Sequence, residues 1–466
     1  MRIVVCIKQS ADGDINPFDA SAYETALEIE NAEIIILSMG PEKTTPFLED
    51  LTRLGAKSAV HLCDSAFAGA DTLATSYTLS LALKKLDPDF VFCGRQSVDG
   101  DTGQVGPSIA VRLGYSLVTN VISLKKSESG FDFIDRLGHT GSISAHSVVT
   151  LEKSRNLRLP GIRSKIAPIK KLSAKDIEAD IALCGLRGSP TRVLKVFEND
   201  SDRRICKFVQ PENLTLVIKE SLNKERQQIK LSESEKKLKN IWCIGSAPIE
   251  FANSVGEKIT VIDPEGADII AEKIRIGKPD AVLWGSDIKS KALAPQVAAI
   301  LNTGLCADCT MLETDGETLY MYRPAYSGNI IAKIRCETNP PMATVRTVAS
   351  EQKRIVIGIG YGARENIQKI KLFADKIDAQ IAATRKITDS DYLPYELQVG
   401  LTGKTVNPDV YIAVGISGAV HHIVGMKQSG TVIAINPDKN APIFKYSDFG
   451  IVSDASEVIE GALNLL

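Results

Sequence analysis

Residues 88–94 spell Pro-Asp-Phe-Val-Phe-Cys-Gly, and residues 279–285 spell Pro-Asp-Ala-Val-Leu-Trp-Gly. Each stretch follows a helical pattern that Gly-Ala-Asp opens, at residues 69–71 and 266–268. Each also precedes a polar loop and a short helix that contains a proline. The two stretches lie about 190 residues apart, whereas solenoid repeats have periods of ~20–50 residues. We therefore predict a duplicated domain rather than a repeat array.

Short apolar runs alternate with helical patterns around these motifs. Upstream of residue 150 the runs cover residues 3–7, 34–37, 58–62 and 90–93, and the helical patterns cover residues 18–29 and 72–86. A further series of apolar runs separated by helical patterns begins near Arg354, with runs at residues 355–357, 410–414, 431–435 and 450–452. Fully apolar strands separated by helices are typical of parallel sheets covered on both faces. The predicted fold class is α/β, with two related parallel-sheet domains of nucleotide-binding type and a Rossmann-like C-terminal domain.

Length and composition fit a multidomain globular protein. The 466 residues suffice for about three domains. The 55 basic and 57 acidic residues give a formal charge of −2, which disfavours nucleic acid as a partner. No apolar run approaches the ~20 residues of a membrane span, so we expect no membrane insertion. Nine cysteines, several of them in apolar strands, predict reduced thiols and a cytoplasmic location rather than a secreted, disulfide-framed protein.

The loop at residues 94–107 has the composition of a phosphate-binding turn. It reads Gly-Arg-Gln-Ser-Val-Asp-Gly-Asp-Thr-Gly-Gln-Val-Gly-Pro, follows a predicted strand and opens a helix. Free backbone N–H groups in such turns can bind phosphate. Its two carboxylates allow another interpretation, a solvated loop with an aspartate cap. In the second copy, residues 285–295 lack all but the first glycine, which predicts that this copy has lost the site.

Three glycine-rich stretches of the C-terminal block are candidates for ligand contact. They are residues 357–362, residues 398–403 and residues 414–426, the last with His421 and His422 at the start of a predicted helix. A helix N-terminus offers positive potential to a phosphate or an anionic ring. Tight turns that need glycine for geometry, and histidines that are simply exposed, are the alternative explanation.

Cys306-Ala-Asp-Cys309 has the spacing of a redox or zinc motif. No second cysteine pair or nearby histidine completes a four-ligand zinc site, and no other metal motif stands out. A thioredoxin-like dithiol would occupy a strand-to-helix turn, whereas this pair follows Thr303-Gly304 at a predicted strand start. We therefore interpret these cysteines as structural.

With these motifs assembled, the chain resembles the electron transfer flavoproteins, with a β-subunit-like half followed by an α-subunit-like half. The β-like motifs are residues 3–8, 15–19, 37–41, 67–71, 92–96 and 99–107. The α-like motifs are residues 302–304, 307–310, 323–329, 342–346, 398–404, 411–426, 434–436, 441–444 and 449–454. The resemblance covers nearly the whole chain. It implies that the Rossmann-like C-terminal domain binds FAD.

The resemblance assigns roles to residues around this FAD. Arg385 corresponds to the arginine that lies against the isoalloxazine ring and stabilises reduced, anionic flavin. Thr402 corresponds to a hydroxyl residue near flavin N5, and His422 to a histidine near the pyrimidine carbonyl. The implied site comprises Thr384, Arg385, Gln398, Val399, Gly400, Leu401, Thr402, Ser417, Gly418, Ala419, Val420, His421, His422 and, toward the adenosine, Asn436 and Asp454. Tyr361 departs from the family pattern, because an arginine usually stands there.

The resemblance also implies a second nucleotide in the β-like half. The implied site comprises Cys6, Asn16, Asp19, Met39, Asp99, Asp101, Thr102, Gly103, Gln104, Val105 and Gly106. In conventional members this nucleotide is AMP, whereas in electron-bifurcating members it is a second FAD that meets NADH. The loop at residues 99–107 is closer to the bifurcating version. Both ligands, FAD and AMP, remain open at this point.

Residues 156–163 match the family's recognition loop, with Leu159, Ile162 and Arg163 as the implied partner contacts. The implied partner is an acyl-CoA-dehydrogenase-like flavoprotein, and the implied further partners are NADH and a ferredoxin or quinone-linked acceptor. A nucleotide-binding protein without a redox role, such as a sensor or assembly factor, is the alternative function. The predicted domains are residues 1–190, an arm and charged linker at residues 191–238, a shortened domain at residues 239–350, and the FAD-binding domain at residues 351–466.

Overall fold

The computed structural model describes residues 1–10, 12–198, 204–223, 234–325, 330–346, 353–400 and 403–466. The chain divides into two compact units. The first unit comprises residues 1–196, 231–326 and 332–346, and the second comprises residues 197–230, 327–331 and 347–466. The first unit therefore holds both copies of the repeat.

The N-terminal copy forms one mixed sheet flanked by helices. Its helices are α1 (Pro17–Leu27), α2 (Thr45–Thr52), α3 (Thr72–Leu86) and α4 (Val105–Leu113). Its strands are β1 (Arg2–Cys6), β2 (Glu33–Met39), β3 (Ser58–Leu62), β4 (Phe90–Gly94), β5 (Ser116–Lys126), β6 (Gly130–Asp135), β7 (Thr140–Ser144), β8 (Ser147–Leu151) and β9 (Ile169–Leu172). They lie in the order β7-β6-β5-β8-β4-β1-β2-β3-β9, where β5–β6 and β6–β7 are antiparallel pairs and the others are parallel.

The segment after this copy contributes to both units. Strand β10 (Thr191–Glu198) joins a small sheet of the first unit, while β11 (Lys207–Phe208) and α5 (Leu214–Leu222) belong to the second. Residues 224–233, the centre of the predicted charged linker, lie outside the described residues.

The second copy repeats the topology of the first. Its helices are α6 (Ile249–Val255), α7 (Ala267–Gly277) and α8 (Ile288–Leu301). Its strands are β12 (Leu238–Ile244), β13 (Gly256–Ile262), β14 (Ala281–Trp284), β15 (Leu305–Cys309), β16 (Met311–Thr314), β17 (Leu319–Ala325), β18 (Ile330–Cys336) and β19 (Met342–Val345). The sheet order β13-β12-β14-β19-β15 is that of β2-β1-β4-β8-β5, and β10-β18-β17-β16 form the small sheet. The duplication predicted from the sequence is therefore confirmed.

The two copies pack together through their equivalent helices, α4 and α8. Ser108 Oγ of α4 donates to the carbonyl of Pro295 in α8 over 3.2 Å. Gln104 Nε2, just before α4, donates to the carbonyl of Leu305 over 3.2 Å. This packing brings the loops of the second copy against the strand ends of the first.

The second unit is a parallel sheet covered by helices. Its further helices are α9 (Ile367–Lys376), α10 (Arg385–Thr388), α11 (Val420–Met426) and α12 (Ala455–Asn464). Its further strands are β20 (Ile355–Ile359), β21 (Ala379–Ala383), β22 (Val410–Val414), β23 (Thr431–Ile435) and β24 (Phe449–Ile451). The order is β11-β24-β23-β22-β20-β21, and all pairs are parallel. Apolar side chains of α5, α9 and α12 pack on the buried strands. The predicted α/β fold class with its third, Rossmann-like domain is confirmed.

Candidate functional site

The first unit contains a cavity of about 1010 Å³ at the carboxyl ends of its parallel strands. The cavity opens at the end of β1, which lies between β4 and β2 in the sheet. From β1 the chain continues to β2 on one side, whereas from β4 it continues to β5 on the other side. Ligands of open α/β sheets bind in the crevice at such a switch point. The second copy closes the opposite wall with Leu305, Cys306, Arg323 and Ile334.

Most of the residues predicted for the β-like nucleotide site line this cavity. They are Cys6, Asn16, Asp19, Met39, Thr102, Gly103, Gln104, Val105 and Gly106. Asp99 and Asp101 lie in the same loop but do not line the cavity. Gly100, between them, does line it. Asp99 forms an ion pair with Lys8, with its Oδ2 2.7 Å from Nζ.

Gln104 fixes the loop ahead of α4 to both copies of the repeat. Its side-chain oxygen accepts a hydrogen bond from Thr72 Oγ1 over 2.5 Å, and its amide donates to the second copy at Leu305. Gln104 is buried and both ends of its amide are held, so its position ahead of α4 is fixed by the two copies. A preformed loop with backbone N–H groups on a cavity wall suits a phosphate group.

Asp19 and Asn16 connect the ends of β1 and β4 through hydrogen bonds. The Asp19 carboxylate accepts hydrogen bonds from the backbone N–H groups of Lys8, at 2.8 Å, and of Gly94, at 3.2 Å. Burial raises the pKa of this carboxyl to about 7, although these donors act in the opposite direction. A Cβ atom at Gly94 would lie 2.2 Å from Asp19 Oδ1, so only glycine fits there. Asn16 donates to the carbonyl of Gln96 over 2.8 Å.

Positive charge reaches the cavity from Arg323, which is buried, and from Arg95, which is half-buried and forms an ion pair with Glu152 at 2.8 Å. Arg95 and Arg323 both line it, and Arg95 Nη2 and Arg323 Nε have no hydrogen-bond partner within the described structure. Arg323 Nη2 donates to the carbonyl of Gly100 over 2.7 Å. Unpaired buried donors on a cationic group are costly unless an anion meets them. The residues present therefore fit a phosphate-bearing ligand.

Asp101 moderates this positive charge. Its Oδ1 accepts from Gln96 over 2.9 Å, and its Oδ2 has no partner within the described structure. Burial raises its pKa to about 6 against the opposing charges of Arg323 and Arg95.

Sequence reasoning did not place Arg323, Cys306 or the loop at residues 69–72 in this site, and it included Arg95 only as part of the loop at residues 94–107. The Gly-Ala-Asp motif was a signal for the loop, because Asp71 caps α3 by accepting from the N–H groups of Leu73 and Ala74. Cys306 and Arg323 belong to motifs that the sequence analysis noted, at residues 306–309 and 323–329, but nothing in those motifs indicated this cavity, because both residues lie in the other copy and reach it only through the α4–α8 packing.

The equivalent strand position in the second copy holds a larger side chain. Cys6 of β1 pairs in register with Cys93 of β4, and the corresponding pair of β12 and β14 is Ile244 with Trp284. Trp284 is fully buried and packs in an apolar cluster with Ile244. The second copy therefore has a buried indole at the strand position where the first copy has Cys93, a lining residue of the cavity.

In the second unit, the predicted FAD residues gather at the carboxyl ends of the parallel strands. Thr384 and Arg385 follow β21, residues 415–422 follow β22, Asn436 follows β23, and Asp454 follows β24. The switch point lies between β20 and β22, because β21 and β22 flank β20 on opposite sides. Gly415 has φ +63°, and a Cβ atom there would lie 2.5 Å from the backbone nitrogen of Ala363. The loops after β20 and β22 therefore meet without side chains between them, as a bound dinucleotide requires.

His422 is held by the protein on both ring nitrogens. Nε2 lies 2.9 Å from the Tyr411 hydroxyl, and Nδ1 lies 3.1 Å from the carbonyl of Val399. Burial lowers its pKa to about 4, so the ring is neutral at physiological pH. His422 thus ties α11 to the loop of Gln398, Val399 and Gly400. His421 is half exposed, and its pKa is lowered by burial and by the charge of Arg385.

The remaining predicted residues of this site have identifiable local partners. Ser417 accepts at its carbonyl from Ile443 N–H over 3.1 Å, and Asn436 Nδ2 donates to the carbonyl of Ile416 over 2.9 Å. Asp454 caps α12 by accepting from Ser456 N–H over 2.7 Å. Buried Gln398 accepts from Thr388 Oγ1 over 2.8 Å. Gly418, Ala419 and Val420 form the turn into α11, whereas Leu401 and Thr402 lie outside the described residues.

Cationic side chains surround Tyr361, the residue that departs from the family pattern. Lys386 Nζ lies 4.0 Å from the centroid of its ring, and the Arg364 guanidinium lies 4.6 Å from it. Arg385, next in the chain to Lys386, forms an ion pair with Asp389 over 2.9 Å. Positive charge is therefore present at this edge of the sheet although Tyr361 itself carries none.

The predicted partner contacts Leu159 and Ile162 project from the first unit. Leu159 is 89% exposed, and Ile162 and Arg163 are also exposed. The loop is anchored at its start, because the Arg158 guanidinium holds the Glu24 carboxylate at 2.8 Å and its backbone N–H donates to the same group. No helix among the described residues is long and apolar enough to cross a membrane. Nor do the described residues contain a cluster of potential metal ligands.

Two family models match this chain. Residues 3–177 and 263–372 match the electron transfer flavoprotein domain, and residues 349–427 match the electron transfer flavoprotein FAD-binding domain. The α subunit of Thermoanaerobacterium thermosaccharolyticum is 36% identical over 239 residues, which cover 41% of this chain and 72% of the relative. The β subunit of Clostridium acetobutylicum is 37% identical over 234 residues, which cover 42% of this chain and 87% of the relative. The LctC subunit of lactate dehydrogenase (NAD(+),ferredoxin) from Acetobacterium woodii is 35% identical over 251 residues, 44% of this chain and 60% of the relative.

A duplicated nucleotide-binding-type domain, followed by a FAD-binding domain of Rossmann-like topology, defines the class as a flavin-binding α/β protein. The chain belongs to the electron transfer flavoprotein family, and it unites regions similar to the β and the α subunit in one polypeptide.

Proposed function

We propose that this electron transfer flavoprotein carries two flavins, one at the strand ends of the second unit and a second FAD in the cavity of the first. The volume of the cavity carries the proposal. At about 1010 Å³ it lies at the upper end of the roughly 300–1,000 Å³ that ligand pockets span. AMP would fill only part of this space, whereas a dinucleotide would use more of it.

The residues of the cavity support a dinucleotide further. The glycine-bearing loop before α4 and the buried guanidinium group of Arg323 offer separate phosphate contacts. Arg95 pairs with Glu152, and its Nη2 is a further N–H donor at the cavity. A bound isoalloxazine ring would exchange electrons in pairs with NADH and singly with a one-electron carrier. The name of the Acetobacterium relative joins NAD⁺ and ferredoxin, the donor and acceptor classes that a two-flavin chain would connect.

In the second unit we propose that Arg385 lies against the flavin ring, with Lys386 and Arg364 reinforcing the positive field around Tyr361. A fixed positive charge favours the anionic, reduced form of a flavin over the neutral, oxidised form. His422 acts in this scheme by positioning the loop of Gln398 to Gly400, since both of its nitrogens already have protein partners.

Acid extraction of the purified chain followed by chromatography tests the proposal. We expect two FAD and no AMP per chain, and we expect NADH to bleach part of the visible flavin absorbance under anaerobic conditions. One FAD with one AMP, and no bleaching by NADH, would leave a one-flavin shuttle fed by its partner. Colourless protein that FAD cannot reconstitute would favour the remaining candidate, a nucleotide-binding protein without a redox role.

We further propose that the recognition loop docks an acyl-CoA-dehydrogenase-like flavoprotein. An exposed apolar side chain on an anchored loop is a feature of transient interaction sites. Leu159 and Ile162 are exposed, while Arg155 and Arg158 at the base of the loop pair with Glu28 and Glu24. The basic residues therefore set the position of the loop and leave its apolar tip available.

Replacing Leu159 by Ala should slow electron exchange with the cognate dehydrogenase at least about tenfold, because a central apolar anchor contributes ~2 kcal/mol or more to docking. Flavin content should not change. Stopped-flow reduction of the chain by the reduced dehydrogenase measures the effect. Ile276→Ala provides a matched control, since Ile276 is 75% exposed on α7 outside the loop. Equal losses in both variants would remove the recognition loop from the docking site.

A further inference from the structure

A bulge in β15 places Cys306 and Cys309 on the same face of the strand. In a regular strand, residues three apart point to opposite faces. The register with β19 shifts between Cys306 and Cys309, and Asp308 has φ +54°. An extra residue of this kind reverses the alternation. Both cysteines consequently belong to one apolar cluster of the second copy, and Cys309 Sγ lies 3.8 Å from the carbonyl oxygen of Cys306.

The same bulge exists in the first copy, but it carries no sulfur there. The register of β5 with β8 shifts between Val118 and Val121, and Asn120 has φ +58°. Valines therefore satisfy the packing of this bulge in the first copy. The second copy has cysteine at both positions. Since valine fills them in the first copy, packing alone does not require the thiols.

The pair is arranged as an outer and an inner thiol. Cys306 lines the cavity, whereas Cys309 is fully buried behind it. The hydrogen bond from Cys309 lowers the pKa of Cys306, with a further contribution from the Arg323 guanidinium. Burial raises the pKa of Cys309, as does its hydrogen bond to Cys306. A thiolate-favouring sulfur on a ligand cavity, backed by a protonated thiol, is the arrangement of reactive dithiols.

We propose that Cys306 and Cys309 are a redox-active dithiol that exchanges two electrons with the flavin in the cavity of the first unit. This inference rests on the proposed second FAD. In the oxidising direction, the two S–H bonds break and one Sγ–Sγ bond forms. The electron pair and one proton pass to the oxidised isoalloxazine ring, and the second proton passes to water. Reduced flavin drives the reverse step, which returns two thiols.

The test uses the full-length, FAD-loaded chain under anaerobic conditions, with the FAD content measured in the same sample. One run starts from thiol-reduced protein with oxidised flavin, and the other starts from diamide-oxidised protein to which NADH is added. Alkylation in denaturant followed by peptide mass spectrometry reports the state of Cys306 and Cys309. We expect the disulfide to form or to be reduced in proportion to the change in flavin absorbance in at least one direction.

The double variant Cys306→Val/Cys309→Val is the matched control, because it installs the pair that the first copy already tolerates. Reductive titration, normalised to the FAD content measured in the same sample, should show that it takes up two electrons fewer per chain than the natural protein. A chain with two FAD whose thiols never change state in either direction would overturn the dithiol and leave the proposed function standing. A chain whose cavity holds AMP would overturn both, because no flavin would then face Cys306.

Discussion

Arg323→Met should weaken binding of the proposed nucleotide in the cavity of the first unit while the chain stays folded. The guanidinium is buried, donates to the carbonyl of Gly100 over 2.7 Å and keeps its Nε without a partner in the described structure. A hydrogen bond between charged groups contributes about 1.5–3 kcal/mol. Its loss corresponds to roughly a 10- to 150-fold weaker Kd. Methionine retains the apolar stem, so packing against the cavity wall changes little.

Isothermal titration of nucleotide-free protein with FAD, and separately with AMP, measures this effect. Arg335→Met is the matched control, because Arg335 lies on the nearby strand β18, is half exposed and pairs with Glu337 over 3.3 Å. The control should bind as the natural protein does. If Arg323→Met bound both nucleotides with unchanged affinity, the second copy would contribute no anion contact and the phosphates would be held by the first copy alone.

Trp284→Ala should destabilise the first unit by about 3–5 kcal/mol, the usual cost of removing a buried aromatic side chain. Trp284 is fully buried among apolar residues of the second copy, and no neighbouring side chain can fill the space of an indole without moving. The void would lie at the strand position where the first copy has Cys93, a lining residue of the cavity. Loss of stability, rather than loss of flavin from the second unit, is the expected consequence.

Urea unfolding followed by the fluorescence of Trp242 measures this loss in the first unit. The chain has two tryptophans, and Trp242 lies in β12 of that unit. Cys93→Ala provides the comparison at the equivalent position of the first copy and should cost only about 1 kcal/mol. An unchanged midpoint for Trp284→Ala would show that the second copy tolerates a void at this strand position, and the buried indole would then need another explanation.

Much of the fold could be predicted from the sequence because its signals are local. The bounds of β3, α3, β22 and β23 coincide with the apolar runs and helical pattern assigned to them, since burial on both faces leaves an uninterrupted apolar run. The repeated motif likewise predicted equivalent strands, and β4 and β14 occupy equivalent places in the two sheets. The loop from Thr102 to Gly106 was also predictable, because glycines after a strand mark close backbone approach to a ligand.

Only the tertiary structure decided which residues face each other across the cavity. Arg323 and Cys306 reach it because α4 packs on α8, a contact between segments nearly 190 residues apart that no local pattern encodes. The same limit applies to Trp284, whose sequence position predicts a buried strand but not the apolar cluster in which its indole packs. His422 is a further example. The sequence places it at the start of a helix, but only the fold shows that its ring contacts the Tyr411 hydroxyl and the carbonyl of Val399. Periodicity determines which side chains are buried, whereas the packing of distant segments determines what each buried side chain touches.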